Sequence, residues 1–256
     1  MHERRALEGL SAIVTGSGRN IGKAIGIAFA KAGAKVTVNG HKDRAAVDAI
    51  VDEIREGGGE AIGVMADVGV PDDVKRLVAE SEAAHGSIDI AVSNVAVRRK
   101  QPFLEITADD WHSTLNSNLA SAFYLAQAVL PCMQRKRFGR LIHISGVDGF
   151  AGHLEHRAHN IVCKAGVHAL AKALSVEFAP FGITANSVVP GHIDTERDWS
   201  QYPPKEEWMA SRKAHLPVRR FGTTGDVAQA CVYLAGESGA FVTGQALHVN
   251  GGQFMY

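Results

Sequence analysis

From Thr15 to Gly22 the chain reads Thr-Gly-Ser-Gly-Arg-Asn-Ile-Gly, a run of small residues between a short β-branched stretch and a helical one. Such a turn lets the backbone approach a diphosphate. The helix that follows adds unpaired N–H groups and the positive end of its dipole. Gly16, Ser17, Arg19, Asn20, Ile21 and Gly22 are therefore candidate ligands of a dinucleotide. The next apolar stretch ends Asn39-Gly40-His41-Lys42, with no carboxylate before Asp43. An acidic side chain there would hold ribose hydroxyls and repel a phosphate. Arg19 and Lys42 can instead neutralise a 2′-phosphate, so the expected cofactor is NADP(H) rather than NAD(H), with Asn39 and His41 beside it. The plain alternative for Arg19 and Lys42 is a pair of solvated surface charges.

A second stretch with chemical content runs from Gly139 to Pro180, read as a buried strand, a loop rich in Gly and His, and a long helix. His153, His156 and His159 fall three apart, with Asp148 and Glu155 near them. Imidazole titrates near neutral pH and suits proton transfer. Ligands on a loop need a fixed second layer of partners to hold a metal, so polar contact with substrate or solvent is the reading taken and no metal is expected. Beyond it, the segment 192–217 carries His192, Trp199, Tyr202 and Trp208 among charges. These aromatics suit a bulky or ring-bearing substrate, or simply pack down on the core.

Positioning such groups falls to regularly alternating elements. Strands are expected over 11–15, 35–39, 61–66, 88–93, 140–145, 184–189 and 247–250, with helices over 21–31, 44–56, 72–84 and 116–133 between the earlier ones. Strands followed by crossover helices imply an α/β, Rossmann-like, doubly wound sheet of about seven parallel strands, helices on both faces, and a ligand at the carboxyl ends of the strands. At 256 residues and 46% hydrophobic the chain can bury one core, so residues 1–256 are read as a single domain. Basic and acidic residues cancel, 27 against 27, which argues against nucleic acid or an anionic membrane as partner. No apolar run is long enough to span a bilayer, the first ten residues lack the apolar core of a signal peptide, and the three cysteines are widely spaced. A cytoplasmic protein with reduced thiols is expected.

Further motifs extend this pattern along nearly the whole chain. The turn resembles Thr-Gly-x-x-x-Gly-x-Gly of the short-chain dehydrogenase/reductase family, with Asn20 at its middle glycine, a residue tolerant of left-handed backbone. Ser93-Asn94-Val95-Ala96 resembles the family's Asn-Asn-Ala-Gly, Pro190-Gly191-His192-Ile193-Asp194-Thr195 its Pro-Gly-x-Ile-x-Thr, and Arg220-Phe221-Gly222 with Val249-Asn250-Gly251-Gly252 its C-terminal region. Together they are most similar to members of roughly 250 residues, the type of the 3-oxoacyl-acyl-carrier-protein reductases. The resemblance implies adenine contacts at Asp67-Val68, a bracing Asn94, nicotinamide contacts at Pro190, Gly191 and Ile193, a substrate lid over about 192–217, and a homotetramer (or dimer).

It also implies a catalytic set of Asn, Ser, Tyr and Lys, in which the Tyr moves the substrate proton and the Lys holds the nicotinamide ribose and lowers the phenol pKa. Lys164 matches the Lys and Asn118 the Asn. Four residues before Lys164, however, stands Asn160 in place of Tyr, and after Ile144-Ser145 stands Gly146 in place of Ser. A carboxamide donates hydrogen bonds but releases no proton near neutral pH. Three readings follow. In the first, a substitute supplies acid or orients substrate, with His159, Ser145 and the more distant Tyr202 as candidates, and with Gly146, Asp148, His153, His156, His192 and Trp199 lining the substrate site. In the second, the cleft runs different chemistry. In the third, the protein binds cofactor without turnover.

Overall fold

Along β1 (Ser11–Val14), Ala12 and Val14 enter one apolar core and Ile13 the other, the alternation of a strand buried on both faces. Six more strands follow: β2 (Lys35–Gly40), β4 (Ile90–Ser93), β5 (Gly139–Ile144) and β6 (Ile183–Pro190) are mostly buried, whereas the edge strands β3 (Ala61–Met65) and β7 (Ala246–Val249) are only partly so. All pair in parallel, in the order β3-β2-β1-β4-β5-β6-β7. The computed structural model describes residues 5–152, 156–197 and 199–255. Helices α1 (Asn20–Lys31), α2 (Arg44–Glu56) and α8 (Thr224–Ala235) bury Ile25, Phe29, Ile50, Val227 and Leu234 on one face. Helices α3 (Pro71–His85) and α5 (Ser121–Lys136) bury Leu77, Leu125 and Met133 on the other. Helix α6 (Ala158–Phe178) packs on β5, β6 and α5. The expected doubly wound α/β sheet is therefore present, and its switch point lies between β1 and β4.

Two elements differ from the sequence reading. The fourth strand begins at Ile90 rather than 88, because the buried Asp89 carboxylate accepts from the Ser11 N–H (3.0 Å) and hydroxyl (3.2 Å) and pairs with Lys136. The long helix expected over 116–133 is instead α4 (Ala108–Leu115), a π-helical turn at Asn116–Ala120, and α5, in one continuous run. That turn matters because it carries Asn118. The excursion after β6 holds a short helix, α7 (Lys205–Lys213). Among the described residues no helix is long and apolar enough to cross a membrane.

The core also contains imidazoles. His143, on β5, is 1% exposed, and both its ring nitrogens lack partners among the described residues. Burial, then the neighbouring His168, pushes its pKa down to about 4; burial and Lys164 push His168 to about 4 as well. Both are neutral in the folded protein, whereas the unfolded chain protonates them near the ordinary value of about 6.5. Their stabilising contribution is complete above that value and is lost as pH falls toward 4, by about 2 kcal/mol each at pH 5. Urea midpoints at pH 7.5 and pH 5 should reveal the loss, and His143→Leu should flatten the slope.

Candidate active site

The turn after β1 is built by three side chains that spend their polar atoms on it. Ser17 is fully buried; its hydroxyl donates to Val14 O (2.7 Å) and accepts from the Asn39 N–H (2.9 Å). Asn39 accepts from the Gly16 N–H (3.1 Å), and its Nδ2 donates to Val64 O and Ala66 O. Asn94 donates from Nδ2 to Thr15 O (3.0 Å) and Gly16 O (3.2 Å). The side chains of Ser17 and Asn39, two residues expected at the cofactor site, are thus spent on bracing the turn itself. Val68 likewise packs into the core. Glycine is required at 22, where a Cβ would sit 2.3 Å from Gly16 O. Asn20 adopts φ +52, the left-handed conformation its type tolerates.

Helix α1 starts without a side-chain cap, so its first N–H groups stay available to an anion. Arg19 and Lys42 are exposed at this mouth, and their side chains make no hydrogen bond or ion pair among the described residues. Asp43 caps α2 through the Ala46 N–H (2.9 Å), which turns the nearest carboxylate away. His41 Nε2 lies 3.6 Å from Asp67 Oδ2, and Asp67 also accepts from the Gly69 N–H.

At the other end of the cleft, the last residue of β5 and the one after it fix Lys164 of α6. Lys164 Nζ donates to Ile144 O (2.9 Å), and the Ser145 hydroxyl donates to the Lys164 carbonyl (3.1 Å). Gly149 lets the Val147–Gly149 turn close onto α6, since a Cβ there would meet the Lys164 backbone at 2.9 Å. Burial, followed by the charge of Arg98, pushes the Lys164 pKa down to about 8; Asp148 opposes this. One turn earlier on the same face stands Asn160, 3% exposed.

The orientation of the Asn160 amide is imposed by its neighbours. The Val97 N–H donates to Asn118 Oδ1 (2.7 Å), so the Asn118 amide must present Nδ2 elsewhere. That nitrogen donates to Val97 O and to Asn160 Oδ1, both at 2.8 Å. That leaves Asn160 Nδ2 as the amide atom with no partner among the described residues. The site thus offers a hydrogen-bond donor that can polarise a carbonyl oxygen, beside a lysine that loses its proton near pH 8.

A pocket of about 230 Å3 opens beside Lys164, walled by Ile21, Asp148, Pro190, Gly191, Ile193 and His192, and by several arginines. It lies at the carboxyl ends of the strands, as a doubly wound sheet requires. Asn118, Asn160 and Lys164 stand behind its wall rather than on it, Lys164 being close enough to feel the charges of Arg98 and Asp148. A larger hollow of about 1030 Å3 lies between α1 and α8 and shares Thr195 and Arg197 with it.

Several sequence expectations change here. His159 is fully buried and about 140° around α6 from Lys164, so it is not an acid of the cleft. Ser145 faces α6, where it bonds Lys164 O and His168 Nε2 (3.0 Å), because one step along a strand reverses facing. Gly146, the next residue, is the one with free space in front of it. His156 is exposed and away from the pocket wall. His153 lies outside the described residues, and among the latter no His, Cys, Asp and Glu group could hold a metal ion. Trp199 contacts Tyr202 and Trp208 edge-on at 5.9 and 5.7 Å, so the lid aromatics are occupied with one another. The reading from sequence missed Arg98, Arg157, Arg197 and Arg212 on the pocket wall. A Val-Arg-Arg-Lys run after β4 was visible, but not which way it faced.

Residues 16–253 match the family described as enoyl-(acyl carrier protein) reductase. The chain is 34% identical over 247 residues to a 3-oxoacyl-[acyl-carrier-protein] reductase FabG of Staphylococcus epidermidis, covering 96% of this chain and 99% of that one. It is 35% identical over 248 residues to the FabG of Escherichia coli K12, covering 97% and 98%. Among solved structures it superposes with a TM-score of 0.91 on a proposed gluconate dehydrogenase of Agrobacterium tumefaciens, at 29% identity and 98% coverage of both chains. The crystal structure of Gox2181 gives the same score and identity, covering 98% of this chain and 97% of that one.

Proposed function

This chain belongs to the short-chain dehydrogenase/reductase family of oxidoreductases, and we propose that it is an NADP(H)-dependent enzyme acting on a carbonyl or secondary alcohol through an altered proton-transfer site. Asn160 stands for the family's Tyr and Gly146 for its Ser. The observation that carries the reading is the imposed amide of Asn160, which leaves Nδ2 without a partner among the described residues one helical turn from Lys164. When bound, the nicotinamide supplies or accepts the hydride. Residues 16–22 and the uncapped start of α1 would hold its diphosphate, and Arg19 and Lys42 a 2′-phosphate.

The remaining work falls to the chain's own groups. Asn160 Nδ2 donates to the carbonyl oxygen and stabilises the negative charge that grows there. Lys164 keeps a proton at Nζ whose release burial brings near working pH. Asn118 locks the Asn160 amide in its donating orientation. The assembly is read as a cytoplasmic homotetramer on family grounds. The exposed Leu104, Val176 and Phe241 supply apolar surface for contact between copies, and light scattering tests the number.

The direct test is loss of NADPH absorbance against aldehydes, ketones and quinones over pH 5 to 9. Turnover supports the reading, and none with any of them overturns it. The cofactor preference has its own test. Arg19→Ala with Lys42→Ala should raise the Kd for NADPH about tenfold or more while leaving that for NADH nearly unchanged. A preference for NADH in the wild type that survives both changes would remove NADP(H) from the proposal.

A further inference from the structure

The geometry points to a small anionic substrate, a molecule whose carboxylate or phosphate is gripped by Arg98 and Arg197 while its carbonyl meets Asn160. This rests on the reading of the cleft as the reaction site. Among the described residues, the charged groups lining the pocket are Arg98, Arg157, Arg197 and Arg212 against Asp148 alone. Asp148 is 3.9 Å from Arg157, and Lys164 stands just behind the wall. Arg98 and Arg197 repel one another at this pocket, and an anion between them relieves that repulsion.

Two of these arginines are positioned by dedicated clamps. Asn118 binds both the N–H and the carbonyl of Val97, at 2.7 and 2.8 Å, which fixes the backbone next to Arg98. Asn20 does the same to Glu196, accepting from its N–H (2.9 Å) and donating to its carbonyl (3.2 Å), next to Arg197. Arg98 makes no hydrogen bond or ion pair among the described residues. Arg197 donates from Nη2 to Ile193 O and Thr195 Oγ1, whereas its Nε is buried without a partner among them. The Trp208, Trp199 and Tyr202 rings hold its guanidinium, with centroids at 4.8, 5.2 and 6.0 Å. Burial first, and Arg98 next, hold the Arg197 pKa below its usual value, as for a cation short of a counter-charge. A surface arginine kept for solubility would be neither clamped at its backbone nor roofed by three rings. The lid aromatics thus serve to orient a cation, and a bound anion completes the arrangement.

The test is a binding measurement that needs no turnover. Titrations followed by Trp fluorescence and calorimetry would compare 2-oxobutanoate with its neutral amide, and glycerol 3-phosphate with glycerol. At least one anion is expected to bind tenfold or more tighter than its neutral counterpart, and whichever wins identifies carboxylate or phosphate. Arg98→Gln, an exposed change that should leave the fold intact, is expected to weaken that anion about tenfold, or about 1.4 kcal/mol. Arg98→Gln with Arg197→Gln should erase the preference, with the thermal midpoint reporting whether the variant is folded. Arg135→Gln, on the outer surface of α5, should leave it unchanged. Equal binding of charged and neutral probes, no binding of either anion, or full anion affinity in Arg98→Gln would overturn the proposal. Anion binding through Arg98 with no NADPH oxidation would instead uphold it while removing the reductase reading.

Discussion

Lys164→Met is expected to lower kcat/KM for NADPH-dependent reduction by about 10²–10⁴-fold, the range for loss of a positioned acid. The methionine stem fills the lysine's place between β5 and α6, so the fold should survive. What disappears is the Nζ bond to Ile144 O and a proton that burial brings near neutrality. Wild-type reduction needs that proton present, so the rate should be level below pH 8 and fall about tenfold per unit above it. NADPH affinity should fall in parallel, because Lys164 is also the expected ribose contact. His192 is the competing donor, since its ring lines the same pocket. A wild-type profile that breaks near the ordinary imidazole value of about 6.5, vanishing in His192→Asn and surviving in Lys164→Met, would transfer the role to it.

How far such a site can be read from sequence depends on which interactions define it. The sheet was legible because strands such as β1 and β5 must be apolar on both faces, and because Gly22 tolerates no Cβ. Lys164 and Asn160 were legible as a pair because a helix places residues four apart on one face. The fate of individual polar side chains was not. Whether Ser145 or Gly146 faces the cleft depends on one step of strand phase. Ser17 and Asn39 are singled out by their places in the glycine-rich turn and at the end of the second strand, yet the turn itself consumes their side-chain bonds. The basic wall joins Arg98 after β4 to Arg197 after β6, and no local pattern reports that those two segments meet. The same holds for the Asn20 and Asn118 clamps, each a contact between distant parts of the chain.

Gly146→Ser with Asn160→Tyr should raise the rate on unactivated ketones by about 10²–10⁴-fold, the size of a general-acid contribution. The backbone accepts both changes. Gly146 has φ 172, an extended conformation open to any residue, and a Cβ there meets nothing nearer than Pro190 O at 4.0 Å. The change at Asn160 gives up the bond from Asn118, but Asn118 keeps both its bonds to Val97 and with them its place. The introduced phenol would then extend from the same helix face as Lys164, whose positive charge favours the phenolate and draws its pKa toward working pH. A gain of this size on top of a measurable wild-type rate means that the natural site reduces substrates already polarised or anionic, for which donation by Asn160 suffices. Turnover in the double variant with none in the wild type means that the alignment of α6 holds and that the natural protein binds its cofactor for another purpose. No gain in the double variant, with the wild type active, would show that Asn160 does not occupy the position from which the substrate oxygen is protonated.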